Sequence, residues 1–164
     1  MKSHAEIVMA LLSRPARFFA GRLQEIHAGR AAGILIVSAL FFAAAGSRIN
    51  TGGFSATAGS ILFVNAVGMA AMGSLISYLA LALTAGRRYP FARLWKIYSL
   101  SSGAVLLIAW VPSAFLFTEP WKWWLITSGM INGLGMSRTR AVIVVVFTFG
   151  ALVAIVYGSL PLVT

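Results

Sequence analysis

Apolar residues fall into five long runs, separated by short breaks marked by Pro, Gly or charge. The runs cover 31–47, 56–85, 97–117, 121–137 and 141–160. Apart from Lys122 at the edge of the fourth, they hold no Asp, Glu, His, Lys, Arg or Cys. A helix needs roughly 20 mostly apolar residues to cross a bilayer. The pattern therefore predicts an all-α integral membrane protein built as a five-helix transmembrane bundle. The first run is short, and flanking residues or local thinning must cover the difference. Residues 47–55 read as a turn, with Asn50, Gly52 and Gly53 as breakers. Pro112 is expected to kink the third run, and Thr118-Glu119-Pro120 to end it. The fourth run is diluted by Gly129, Asn132, Gly133 and Gly135. A re-entrant segment competes with a full span there.

Residues 1–30 follow a different pattern. Ser3 and Glu6 form a capping box. Ile7, Val8, Leu11 and Leu12 then recur at helical spacing. Pro15 suits the first position of a second helix. Phe18, Phe19, Leu23 and Ile26 gather on one face of it, with Arg14, Arg17, Arg22 and Arg30 interleaved. This is an amphipathic cytoplasmic lead, and 31–164 form one membrane domain. Two placements of the apolar face stay open: in the head-group plane, or against the protein's own bundle. No cleavable leader is expected, because the first long run starts too far in.

Charge orients these segments. The chain has 164 residues, 13 Lys and Arg against 3 acids, and only 10% charged residues. A soluble domain carries about 25%. The formal charge of +10 does not point to nucleic acid, because the positives sit at the ends of apolar runs. Arg87, Arg88, Arg93 and Lys96 cluster around Pro90 between the second and third runs. Basic loops stay cytoplasmic. With that loop inside, Arg14, Arg17, Arg22, Arg138 and Arg140 also fall inside, and only Arg48 and Lys122 lie outside. The expected location is the inner (plasma) membrane, N-terminus cytoplasmic and C-terminus outside. A re-entrant fourth segment would place Arg138 and Arg140 outside, so charge favours spanning.

Chemistry is scarce. There is no Cys and no Asp, and Glu6, Glu25 and Glu119 are the only acids. His4 and His27 stand apart in the lead, so no metal or cofactor site is expected. Catalysis needs groups that accept, donate or attack, so no enzyme is expected. Asn65, Ser74, Ser77 and Asn132 could line an uncharged path, though interhelical packing and bonding to their own helix explain them more simply. Ala66, Ala70 and Ser74 share a spacing of four, as do Gly73 and Ser77. Gly129-x-x-x-Gly133 is a close-packing pair that serves either the fold or a homodimer. Arg14, Arg17, Arg22, Arg87, Arg88, Arg93, Trp95 and Lys96 are the candidate residues for anionic lipid or a partner. Tyr89, Phe91 and Tyr98 complete an aromatic–basic belt with Trp95, for which plain anchoring at the interface is the simpler role.

Three stretches carry a resemblance. Leu11-Leu12-Ser13-Arg14-Pro15-Ala16-Arg17-Phe18-Phe19 resembles the Leu-Leu-x-x-Pro-x-x-Phe-Phe lead of bacterial members of the Yip domain family. Tyr89-Pro90-Phe91-Ala92-Arg93-Leu94-Trp95, with Tyr98-Ser99-Leu100 and Pro112, resembles that family's basic loop and third span. The five-run layout is similar too. The resemblance implies a polytopic inner-membrane protein, and its eukaryotic members interact with Ypt/Rab GTPases. Those members carry an Asp-Leu-Tyr-Gly-Pro motif that a chain without Asp cannot have, and Ile97 stands where the family has Gly. GTPase binding is therefore not expected. The expected function is a non-enzymatic scaffold that contacts lipid or a membrane-protein partner, itself included. The alternative is a small transporter or channel subunit.

Overall fold

The computed structural model describes residues 4–84 and 89–159. The described residues are helical almost throughout. Two short helices, α1 (His4–Ser13) and α2 (Pro15–Arg22), precede five long ones. These are α3 (Ala28–Thr51), α4 (Ala56–Thr84), α5 (Phe91–Ala109), α6 (Phe115–Leu134) and α7 (Arg138–Ser159). Ser3 of the expected capping box lies outside the described residues, and so do Arg87 and Arg88.

Several boundaries differ from expectation, each for a local reason. α3 continues past Ser47 to Thr51, and its 24 residues reach about 36 Å at 1.5 Å per residue. Its true stop is Gly52, whose φ of 68° is the left-handed turn that glycine adopts without strain. Ser55 then starts α4, its hydroxyl accepting from the Ala58 amide at 3.3 Å. Pro112 ends the third run rather than kinking it. α5 stops at Ala109, and Pro112–Ala114 form a 3₁₀ turn. Thr118-Glu119-Pro120 does not end a helix. It lies inside α6, where Pro120 removes a single backbone bond close to the N-terminus. The fourth run is one unbroken helix of 20 residues, closed by Gly135 at φ 67°.

α5 lies at the centre. It packs on α3, α4, α6 and α1, and α7 packs on α4 and α6. From Lys96 to Val105 every residue of α5 is buried. A helix buried on all sides needs small residues where its neighbours come close. Ser99, Ser101, Ser102, Gly103 and Ala104 supply them. At Gly103 an added Cβ would lie 3.3 Å from the Leu35 backbone of α3. At Gly129 of α6 it would lie 2.6 Å from Ile97 of α5. At Gly73 of α4 it would lie 2.8 Å from the Tyr98 ring.

The outer helices carry the exposed apolar surface. Val64 and Leu83 on α4, and Ile143 and Val146 on α7, are more than 60% exposed. Patches of this kind mark a surface that water does not wet. Among the described residues, three helices are long and apolar enough to cross a membrane: α3, α4 and α7. Five were expected. α5 is lowered in hydropathy chiefly by Arg93 and Lys96 near its start, and less by Ser99, Ser101 and Ser102. α6 is lowered by Glu119, Lys122, Asn132 and its glycines.

Of the two placements open to the lead's apolar face, the structure shows the one against the bundle. Ile7, Val8, Leu11, Phe18, Phe19, Leu23 and Ile26 are all buried in the shared core. α2 lies along α6. A Cβ at Gly133 would meet Leu23 at 2.5 Å, and one at Gly129 would meet Phe19 at 3.2 Å. The Gly129–Gly133 face is therefore occupied within this chain, by the lead and by α5.

Replacing Gly103 by Leu should drive α3 and α5 apart and cost about 1–3 kcal/mol. Gly150, where nothing lies within 4 Å, is the matched control. Thermal unfolding in detergent, followed by Trp fluorescence, should show a clear loss for Gly103→Leu and almost none for Gly150→Leu. Equal melting temperatures would contradict the close approach.

Candidate functional site

The first candidate surface is on the lead. Burying one face of α1 and α2 turns the other outward. Arg14 and Arg17 are exposed and Arg22 is half-buried. The three line one groove of about 460 Å³, together with Ser13, Phe18 and Glu25. Three guanidiniums against one carboxylate leave the groove positive. Arginine forks match the geometry of phosphate oxygens.

The expected partners of these arginines behave differently. Arg93 and Trp95 are half-buried at the start of α5. Lys96 is turned inward, 9% exposed, and its ammonium donates to the Leu23 carbonyl at 2.7 Å. Leu23 is the C-cap of α2, one of the carbonyls a helix end leaves without a partner. A cation there also meets the negative end of the helix dipole. Lys96 stands one residue ahead of the third apolar run. Burial lowers its pKa from the usual lysine value, and the neighbouring Arg93 adds to the shift. Lys96 thus clamps the lead onto the bundle instead of facing lipid. The belt divides in the same way. Phe91 is exposed and meets Tyr78 edge-on at 5.6 Å, while Tyr98 is 2% exposed.

Tyr98 anchors a chain of hydroxyls through the bundle. Its oxygen lies 2.6 Å from Ser77 Oγ, which lies 2.8 Å from Thr148 Oγ1. Thr148 donates to the Val144 carbonyl at 2.8 Å. Each hydroxyl has one proton, so the direction is fixed: Tyr98 donates to Ser77, Ser77 to Thr148, Thr148 to the backbone. The chain ties α5, α4 and α7 together. Ser77 is therefore a packing residue, as is Ser74, which bonds the Ala71 carbonyl of its own helix at 2.8 Å. Asn132 also turns to its own helix, donating to the Ser128 carbonyl at 2.9 Å.

The second candidate is a cavity of about 340 Å³ among α3–α7, above Tyr98. Asn65, Ala66, Ser102, Trp123 and Leu152 line it, and Glu119 and Lys122 stand with them. Asn132 is not among its lining residues, so the two asparagines do not share a path. Lys122 and Glu119 are paired at 2.7 Å through both carboxylate oxygens. The ammonium also lies 5.4 Å from the centre of the Trp123 ring. Sequence reading missed this pair as a site, because Thr118-Glu119-Pro120 was expected to end a helix. The spacing of three between Glu119 and Lys122 on a continuous helix is the signal that places them side by side. Among the described residues, no three His, Asp or Glu side chains stand together as a metal site.

No protein-family model, curated protein or solved structure matches this chain.

Replacing Lys96 by Met removes a charged hydrogen bond of about 1.5–3 kcal/mol from a site it can otherwise fill. Amide exchange in α2 should quicken roughly tenfold or more, while Arg93→Gln leaves it unchanged. Unaltered exchange in Lys96→Met would show that the lead does not depend on this bond.

Proposed function

We propose that the chain is a non-enzymatic, five-span inner-membrane protein of Yip type. It serves as a scaffold that holds anionic lipid head groups on the cytoplasmic side of its lead. The observation that carries this reading is the division of the lead: its apolar face is docked on the bundle, and Arg14, Arg17 and Arg22 are left around one open groove. An amphipathic helix whose apolar face is already covered keeps only its charge for a ligand. Each arginine near an anionic surface contributes about 1 kcal/mol.

The central position of α5 supports five spans. A helix shielded by α3, α4 and α6 can cross without being as apolar as one that faces lipid. α6 runs antiparallel to it with 20 residues, about 30 Å. On this reading the lead, Arg93, Arg138 and Arg140 lie on the cytoplasmic side.

The test is the triple variant Arg14→Gln, Arg17→Gln, Arg22→Gln, reconstituted in vesicles of equal phosphatidylethanolamine and phosphatidylglycerol and extracted in mild detergent. Retained phosphatidylglycerol should fall at least fivefold relative to the unaltered chain. Unchanged retention would remove the lipid-scaffold reading.

A further inference from the structure

Two apolar spaces meet at the Glu119–Lys122 pair. One is the cavity above Tyr98. The other is a groove of about 360 Å³ between α6 and α7, lined by Pro120, Val145, Val146 and Phe149. Glu119 and Trp123 line both. Glu119 and Trp123 therefore stand where the two spaces adjoin, with Lys122 on the cavity side. Along α5 the cavity runs from Tyr98 to Ala109, about 16 Å at 1.5 Å per residue. Its floor is the Tyr98 ring, held by the hydroxyl chain to Ser77 and Thr148.

The geometry points to a binding site for one diacyl phospholipid with a zwitterionic, primary-ammonium head group. One acyl chain occupies the cavity and the other the α6–α7 groove. The phosphate engages Lys122 and the ammonium engages Glu119. The pair is neutral as a whole, so it offers no net attraction to an anion or a cation. A zwitterion instead matches both charges at once. It replaces one internal ion pair with two, at a position where Lys122 is 16% and Glu119 34% exposed. The proposal rests on the five-span reading for its location, in the leaflet opposite the lead. It does not rest on the arginine groove, which takes the opposite class of lipid.

The experiment uses the full chain in the same equimolar phosphatidylethanolamine–phosphatidylglycerol vesicles. After extraction in mild detergent, bound lipid is counted by class. The unaltered chain should retain about one phosphatidylethanolamine per protein. Lys122→Gln should lower that at least fivefold. Glu119→Gln leaves the lysine unpaired and should exchange the bound lipid for phosphatidylglycerol. Ala66→Phe, which fills the cavity away from the charges, should lower retention of both classes at this site. Gln24→Ala, at an exposed position outside both candidate sites, should change none of these. Melting temperature in detergent checks that each variant is folded, and the class switch in Glu119→Gln reads the site even if another variant fails. Retention of phosphatidylethanolamine that is absent in the unaltered chain, or equal in all variants, would overturn the proposal. Labelling of a cysteine at position 122 from the cytoplasmic side would overturn the five-span topology while leaving the lipid count to stand on its own.

Discussion

Close approach to α5 is the constraint on which the rest of the structure depends. Glycines on both sides make it possible: Gly103 on α5 toward α3, Gly73 on α4 toward Tyr98, Gly129 on α6 toward Ile97. In hydrocarbon the hydrophobic effect does not drive helices together, so tight packing and buried hydrogen bonds must do it. The Tyr98–Ser77–Thr148 chain adds such bonds where three helices meet. Ser99 and Ser101 have buried hydroxyls without a partner, which fits their use as small residues rather than as polar ones. The packing is uneven along the bundle. The end near Gly133 is filled by Phe19 and Leu23 from the lead, and the end near Glu119 opens into cavities.

This asymmetry links local sequence to proposed function. The lead closes one end and presents arginines outward. At the other end, Pro112 stops α5 early, so the chain turns and α6 begins at Phe115. That early start brings Glu119 and Lys122 onto a helix three residues apart, beside the cavity. A chain broken at Pro120 would hold them in a loop with no fixed geometry. Tyr98, held by the hydroxyl chain that joins α4, α5 and α7, lines that cavity.

Much of the architecture was legible in the sequence. Apolar runs located all five long helices, and Gly129-x-x-x-Gly133 and Gly73-x-x-x-Ser77 marked real close contacts. Arg14, Arg17 and Arg22 were read together with Arg87, Arg88, Arg93, Trp95 and Lys96; the first three line one groove, and Lys96 turns into the bundle. What escaped has physical causes. A proline was taken as a stop at position 120, where α6 tolerates it so near its N-terminus. Asn50 was taken as a breaker, yet α3 ran on to the glycine at 52. Lys96 and Tyr98 belonged to a basic aromatic stretch that looks interfacial in one dimension. The helix starting at Phe91 turns both inward, and only the three-dimensional position of Leu23 and Ser77 reveals their partners. α5 carries Arg93 and Lys96 at its start, and it falls outside the three helices apolar enough to cross a membrane.

The central claim is that α5 is enclosed along its whole middle. Oxygen accessibility of spin labels tests it most directly, since the chain has no cysteine of its own and single cysteines can be placed freely. Labels at small positions 99, 101, 102 and 104 should be uniformly shielded from lipid-dissolved oxygen, while labels at 143 and 146 on α7 should be freely accessible. A peak in accessibility every 3.6 residues along 97–105 would mean that one side of α5 faces lipid, and would contradict the account.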